Sequence, residues 1–175
     1  MIVISETNRL ILKVFDAEDM DAAKRFWGDR EVMAYCGGPT PYENLGIVLD
    51  SYIRCYKATG LSVYAVVEKE TGKIIGAAGF NIRGSLENVE LLYHFSKESW
   101  GKGFATEAAA ACVKIAKENG NVKSIFASAD PKHAQSLKIL EKVGFEYQGM
   151  KWFEDTEQEE PYYEMIIDKN NGIVR

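Results

Sequence analysis

The chain reads as an α+β fold, and three observations predict it. Residues 89–96 alternate, with Val89, Leu91, Tyr93 and Phe95 on one face and Glu90, Leu92, His94 and Ser96 on the other. From Phe104 the period changes, and Ala108, Ala111, Cys112 and Ile115 recur at helical spacing. Glu70-Thr-Gly-Lys73 joins two further strand-like stretches directly, as a hairpin turn does. At 175 residues, with no repeat, linker or low-complexity stretch, the chain suits a single domain over residues 1–175.

Taken in order, residues 7–13 form a first apolar-rich strand. Asp16 can cap a helix whose inner face carries Met20, Ala23 and Trp27. Cys36-Gly-Gly-Pro39 breaks the chain, after which Thr40 and Glu43 read as a capping box with Pro41 at the first helical position. Leu45, Val48, Leu49, Tyr52, Ile53 and Tyr56 make one apolar stripe on that helix, and Gly60 ends it. Residues 61–68 and 73–82 are strands, the second interrupted by Gly76 and Gly79, which mark a bulge or a close backbone approach. Arg83-Gly-Ser turns the chain into the strand at 89–96. The following helix ends at Asn119-Gly120, and residues 122–129 form a fifth strand. Asp130-Pro131 starts a helix carrying Leu137, Leu140 and Val143, which stops at Gly144. Residues 145–153 and 162–167 can pair as a terminal hairpin, with the acidic run 154–160 as a solvated loop between them.

A net charge of −5 argues against a general nucleic-acid surface, while fitting either a cationic substrate or simple solubility. The first residues, Met-Ile-Val-Ile-Ser-Glu, do not resemble a signal peptide, and nothing approaches the ~18 apolar residues of a membrane span. A cytoplasmic location with no membrane association is the expectation. Cys36, Cys55 and Cys112 are widely spaced and read as reduced thiols. Two distant histidines and no cysteine cluster give no support for a metal site.

The strand at 89–96 runs into a helix through Gly101 and Gly103, with no acidic residue from Trp100 to Thr106. A helix start leaves main-chain N–H groups without partners and carries partial positive charge, and glycine lets an anion approach them closely. A dinucleotide fingerprint is excluded by Thr106 at its sixth position, and a P-loop by Phe104 after Gly103. Local pattern alone leaves open a phosphate cradle and an ordinary strand–turn–helix connection.

Trp100-Gly-Lys-Gly-Phe-Ala-Thr-Glu-Ala108 resembles the acyl-CoA pyrophosphate loop of the GNAT superfamily of N-acetyltransferases. It is closest to the branch of ribosomal-protein N-terminal acetyltransferases. The superfamily pattern Gln/Arg-x-x-Gly-x-Gly/Ala falls on Trp100, Gly103 and Ala105, and Trp100 is the departure. Thr7-Asn-Arg-Leu-Ile-Leu-Lys13 resembles the opening of the same branch. Ser136-Leu-Lys-Ile-Leu-Glu-Lys-Val-Gly-Phe145 resembles its Asn-x-x-Ser…Leu-Glu-Lys-x-Gly-Phe motif, with His133 in the place of asparagine. Three matches in the right order span residues 7–168.

The resemblance implies a twisted, mixed and mostly antiparallel sheet of six or seven strands, with about four helices on both faces. Its central parallel pair, here residues 89–96 and 122–129, would splay apart. The acyl donor acetyl-CoA would lie in that gap, touching Tyr93, His94 and Phe95. Its pyrophosphate would rest on Trp100, Gly101, Lys102, Gly103, Phe104, Ala105 and Thr106. Acetyl would pass directly to an amine, on a protein N-terminus or a small molecule, without a covalent enzyme intermediate and without metal.

Glu90 is the candidate base, the alternatives being a solvent-facing carboxylate or one that binds the acceptor. Ser136 is the candidate acid for the departing thiolate, or else a hydrogen-bond partner of the cofactor. The tyrosine that many relatives use is replaced by Leu140, and Tyr147 can substitute only if its strand folds close to the site. His133 either donates one hydrogen bond to the cofactor arm or is exposed, and His94 is either a packed polar residue or a proton relay. Residues 27–42 are the expected substrate wall, with acceptor loops at 33–39 and 154–161. A non-catalytic acyl-CoA-binding sensor is the rival class, and both monomer and homodimer are open.

Overall fold

The structure, a computed structural model, describes residues 1–167; residues 168–175, with which the predicted domain and the resemblance end, lie outside. Eight strands form one sheet, one or two more than expected. The addition is β1 (Val3–Glu6), paired antiparallel with β2 (Leu10–Lys13). The predicted first strand therefore begins at Leu10, because the Thr7 N–H donates to the Leu10 carbonyl (2.9 Å) and closes a turn.

Asp16 caps as predicted, but the cap serves a 3₁₀ turn, Ala17–Asp19, that leads into the single turn α1 (Met20–Ala23). Asp19 completes a capping box and also holds the buried Lys13 ammonium at 2.7 Å, and this pairing competes with extending the helix. Trp27 is buried as expected, outside any helix. The predicted Thr40–Glu43 box does not form. Pro41 caps α2 (Tyr42–Thr59) without a side-chain bond, and the Thr40 N–H donates back to the Trp27 carbonyl (2.7 Å). The stripe is real: Leu45 and Leu49 are buried, together worth about 3–6 kcal/mol.

β3 (Val63–Glu68) and β4 (Ile74–Asn81) form the predicted hairpin, and β5 (Asn88–Phe95) pairs antiparallel with β4. α3 (Phe104–Asn119) crosses to β6 (Ser124–Ser128). α4 (Ala134–Val143) starts after the predicted Asp130-Pro131, because Asp130 accepts the Lys132 N–H (2.9 Å) and makes a turn that places His133 at the cap. β7 (Glu146–Phe153) and β8 (Gln158–Ile166) close the sheet. The order is β1-β2-β3-β4-β5-β6-β8-β7. The acidic run is correspondingly shorter as a loop, since residues 158–160 belong to β8 and Glu160 is buried.

β5 and β6 are the parallel pair, bonded only from Asn88 to Glu90 against Ser124 to Phe126. Beyond Glu90, β5 runs on to Phe95 with no partner on that side. α3 and α4 pack on one face around Tyr64, Phe80, Leu91, Phe95 and Leu140, while α1 and α2 cover the other around Phe15, Phe26, Trp27, Leu45 and Leu49. The gap between β5 and β6 thus opens between two closed cores.

Candidate active site

The site is built where β5 gives way to α3. Gly103 occupies the cap of α3 in a left-handed conformation (φ 81°), which a side chain would strain. It turns the free N–H groups of the helix start toward a cavity of about 650 Å³. Glu107, the acid in the first turn, is held out of that field. Its carboxylate accepts from Thr7 Oγ1 (2.6 Å), the Arg9 N–H (2.9 Å) and Arg9 Nε (2.7 Å). Burial alone would raise its pKa, but these bonds hold it lowered. The helix start consequently presents its positive end without a competing anion.

Of the residues singled out in sequence, Tyr93, His94, Phe95, Trp100, Gly101, Gly103, Phe104, Ala105, Thr106, His133 and Ser136 line this cavity. Lys102 does not: its carbonyl accepts from Arg9 Nη1 (2.9 Å), which anchors the turn from behind. Trp100 is half exposed and donates Nε1–H to the Phe95 carbonyl (2.9 Å), pinning the turn to the end of β5. Lys138 and Lys142 line the same cavity from α4, as does Tyr35 from the loop before α2. The i, i+4 spacing of the two lysines was the signal available in sequence.

Deeper in, the Tyr93 hydroxyl sits 3.0 Å from both the carbonyl oxygen and Oγ of Ser136. Ser136 is buried. Burial pushes the Tyr93 phenol up to about 12, with the Ser136 bond offsetting part of the rise. The pair joins the unpaired stretch of β5 to the first turn of α4 across the gap.

His94 occupies the opposite face of β5. Trp27 Nε1–H donates to its Nδ1 (3.1 Å), and its Nε2 is 3.4 Å from Cys36 Sγ. Indole nitrogen only donates, so Nδ1 accepts and the proton of the neutral ring resides on Nε2. Both nitrogens are engaged, as in a packed polar residue. Burial, followed by the charge of His133, pushes this imidazole down to about 4. A ring held neutral when folded, yet titrating near 6.5 when unfolded, leaves stability intact above about 6.5 and removes it as the pH falls toward about 4. His133, also lowered by burial, acts in the same direction. Urea midpoints should therefore fall between pH 7.5 and pH 5, and His94→Gln should shrink the fall. An unchanged pH dependence in that variant would show that His94 does not carry it.

The other predicted residues are more scattered. Glu90 accepts from Asn81 Nδ2 (3.1 Å) and Arg83 Nη2 (3.5 Å) and stands outside the cavity wall. Tyr147 is exposed, packs its ring tilted against Tyr163 and does not line the cavity, so its condition for serving as acid is unmet. Leu140 is core. His133 stacks on Tyr35 (centroids 5.0 Å apart), which joins α4 to the expected substrate wall. Within that wall Trp27, Val32 and Met33 are buried, while Tyr35 and Cys36 are exposed. Glu160 was not singled out in sequence, because it stood in a run of acids that reads as solvated. Among the described residues no three acidic, histidine or cysteine side chains converge as a metal-holding group, and no helix is long and apolar enough to cross a membrane.

The family model described as an acetyltransferase (GNAT) domain matches residues 9–146. An uncharacterized N-acetyltransferase, p20 of Bacillus licheniformis, is 31% identical over 149 residues, covering 82% of this chain and 83% of that one. The crystal structure of a GNAT-family acetyltransferase from Bacillus anthracis superposes with a TM-score of 0.82 at 22% identity, covering 95% of this chain and 98% of that one. RimL, a ribosomal L7/L12 alpha-N-protein acetyltransferase solved in complex with coenzyme A, superposes with a TM-score of 0.77 at 14% identity, covering 96% and 99%.

Proposed function

The chain belongs to the GNAT family of acetyltransferases, and on that premise we propose that it moves acetyl from acetyl-CoA directly to a primary amine, on a protein N-terminus or a small molecule. The observation that carries this reading is the cavity running from the start of α3 to the Tyr93–Ser136 pair, along the stretch of β5 that has no neighbour on the β6 side. Its dimensions and chemistry suit the donor. Free helix N–H groups, with Lys138 and Lys142 opposite, match a pyrophosphate, and the unpaired backbone of residues 91–95 matches an amide-bearing arm.

When bound, the donor supplies a thioester carbonyl as electrophile and a thiolate as leaving group. The chain supplies the rest. A main-chain N–H of β5 facing the gap polarises the carbonyl oxygen. Ser136 Oγ–H, with the Tyr93 hydroxyl hydrogen-bonded to the same oxygen, is directed at the developing thiolate. Glu90 lies on the opposite face from Tyr93 and outside the cavity, so its carboxylate takes the proton of the incoming amine through water. His133, stacked on Tyr35, closes the wall where the family asparagine would stand.

The test is coenzyme A release from acetyl-CoA with N-terminal peptides, polyamines, amino acids and aminoglycosides, with the acetylated amine identified by mass spectrometry. Turnover with one class is expected. Tight donor binding with no turnover on any acceptor would favour the sensor class instead. Because Glu90 acts through water, Glu90→Gln should lower kcat about tenfold, less than the ~100-fold or more of a base in direct contact with the amine. An unchanged kcat would remove Glu90 from the mechanism.

A further inference from the structure

Glu160 is an anion in costly surroundings. It is 4% exposed, and among the described residues its one hydrogen bond comes from the neutral Gln158 amide, Nε2 to Oε1 at 3.1 Å. The same amide donates to Asp130 Oδ2 at 2.9 Å, so one neutral group joins two carboxylates. Lys151 stands opposite Glu160 in the β7–β8 register but sends its ammonium over the Tyr162 ring, 4.7 Å from the centroid. The second carboxylate oxygen, Oε2, has no partner among the described residues. It is not sealed in either, since Thr156 Oγ1 is the only fully enclosed side-chain oxygen or nitrogen without a partner among the described residues. Oε2 therefore opens onto accessible space. A buried charge with no counterion destabilises a fold, and glutamine would fill the same volume without that cost.

Glu160 lies at the end of β6 where the β5–β6 pairing has already stopped. Tyr162 pairs with Ser128, the last residue of β6, so Glu160 falls just beyond the end of that strand, beside Asp130. Asp130 is tied to the acyl cavity through the backbone: its carbonyl accepts the His133 N–H at 2.8 Å, and His133 lines the cavity with Ser136. A continuous line of hydrogen bonds thus leads from Glu160 through Gln158 and Asp130 to the cavity wall.

We infer that Glu160, supported by Asp130, binds a second positive charge on the acceptor, so that the preferred substrate is an aliphatic di- or polyamine acetylated at the end remote from this carboxylate. The inference rests on the acetyl-transfer reading. Bound there, the second ammonium supplies the cation that Glu160 lacks, and the acceptor's length sets which amine reaches the thioester.

The experiment compares 1,4-diaminobutane with butylamine, which share one primary amine and differ in the second charge. Wild-type kcat/KM should favour the diamine by about tenfold or more, chiefly through KM. Glu160→Gln should bring the ratio close to one while leaving butylamine within about twofold of wild type, and Asp130→Asn should reduce the ratio less. The Glu160→Gln protein should melt at or above the wild-type temperature, because an uncompensated charge has been removed. No preference in the wild type, a preference that survives Glu160→Gln, or a lower melting temperature in that variant would each overturn the proposal. Calorimetric titration of both amines into the protein saturated with coenzyme A separates the two readings. Glu160-dependent diamine binding without turnover upholds the subsite and removes acetyl transfer. Turnover without discrimination by charge does the reverse.

Discussion

Ser136→Ala should lower kcat about 100-fold, and Tyr93→Phe about 10- to 100-fold, with KM for acetyl-CoA changed far less. The two hydroxyls are 3.0 Å apart, and both lie in the cavity where the thioester sulfur would be placed. Their acidities decide how they work. A free thiol ionises near ~8.5, whereas burial holds the Tyr93 phenol at about 12. A phenol that reluctant to ionise does not end as a tyrosinate beside a neutral thiol. It stays protonated and strengthens Ser136 as a donor to the thiolate; of the two protons an ammonium acceptor loses on becoming an amide, Glu90 takes the first through water and sulfur keeps the second. The effect therefore belongs to the transition state and appears in kcat.

A kinetic double-mutant cycle checks this. Groups acting as one unit are not additive, so the Tyr93→Phe, Ser136→Ala protein should be scarcely slower than Ser136→Ala alone. Two losses that multiply would mean that the hydroxyls serve separate steps. Unchanged kcat in either single variant would falsify the pairing as a catalytic device and leave it as a tie between β5 and α4. The tie itself is modest, a net hydrogen bond of about 1 kcal/mol, so Tyr93→Phe should melt within a few degrees of wild type.

The β5–turn–α3 unit was legible because two incompatible periods meet there, and glycine at that junction has few other uses. Both parts are local: alternation belongs to a strand, and the free N–H groups belong to any helix start. Glycine stops at Gly60, Gly120 and Gly144 were legible for the same reason, each residue adopting the left-handed conformation where its helix ends. The Tyr93–Ser136 pair was half legible. Each residue could be singled out separately, but nothing in sequence says that a β5 side chain and the first turn of α4 meet across 43 positions.

Glu160 was illegible for a physical reason. Acids in a run belong in solvent unless a register buries one of them, and that register is fixed by β7 pairing with β8 from Glu146 to Phe153, not by the run itself. The helix caps erred differently. Thr40 and Glu43 have the right spacing, yet the Thr40 N–H is engaged by the Trp27 carbonyl, so the chain enters α2 at an angle the box does not allow. Asp130 caps a turn instead of a helix. At Thr40 a tertiary contact outweighed a local preference worth about 1 kcal/mol, and at Asp130 one local bond, to the Lys132 N–H, took the place of another.

Gly76→Ala should cost about 3 kcal/mol or more, lowering the melting temperature by about 6–12 °C, and should weaken acetyl-CoA binding as well. Gly76 on β4 faces Phe95 in the register, and a Cβ there would stand 2.4 Å from the His94 carbonyl oxygen and 2.7 Å from the Phe95 ring. The first of these neighbours is backbone and the second a buried ring, so neither can yield cheaply. Relief requires β5 to move away from β4, toward the gap that Tyr93 and His94 line. Gly46→Ala is the internal comparison. It lies within α2, and its Cβ would meet only the flexible end of Met20, at 3.4 Å. There the same methyl group should stabilise by about 0.5–1 kcal/mol, because glycine is a poor helix residue. Thermal melts of the two variants should therefore move in opposite directions, and only Gly76→Ala should raise the Kd for coenzyme A. If Gly76→Ala melted like wild type, β5 would have room behind it, and the close β4–β5 approach would not be what holds the cavity wall in place.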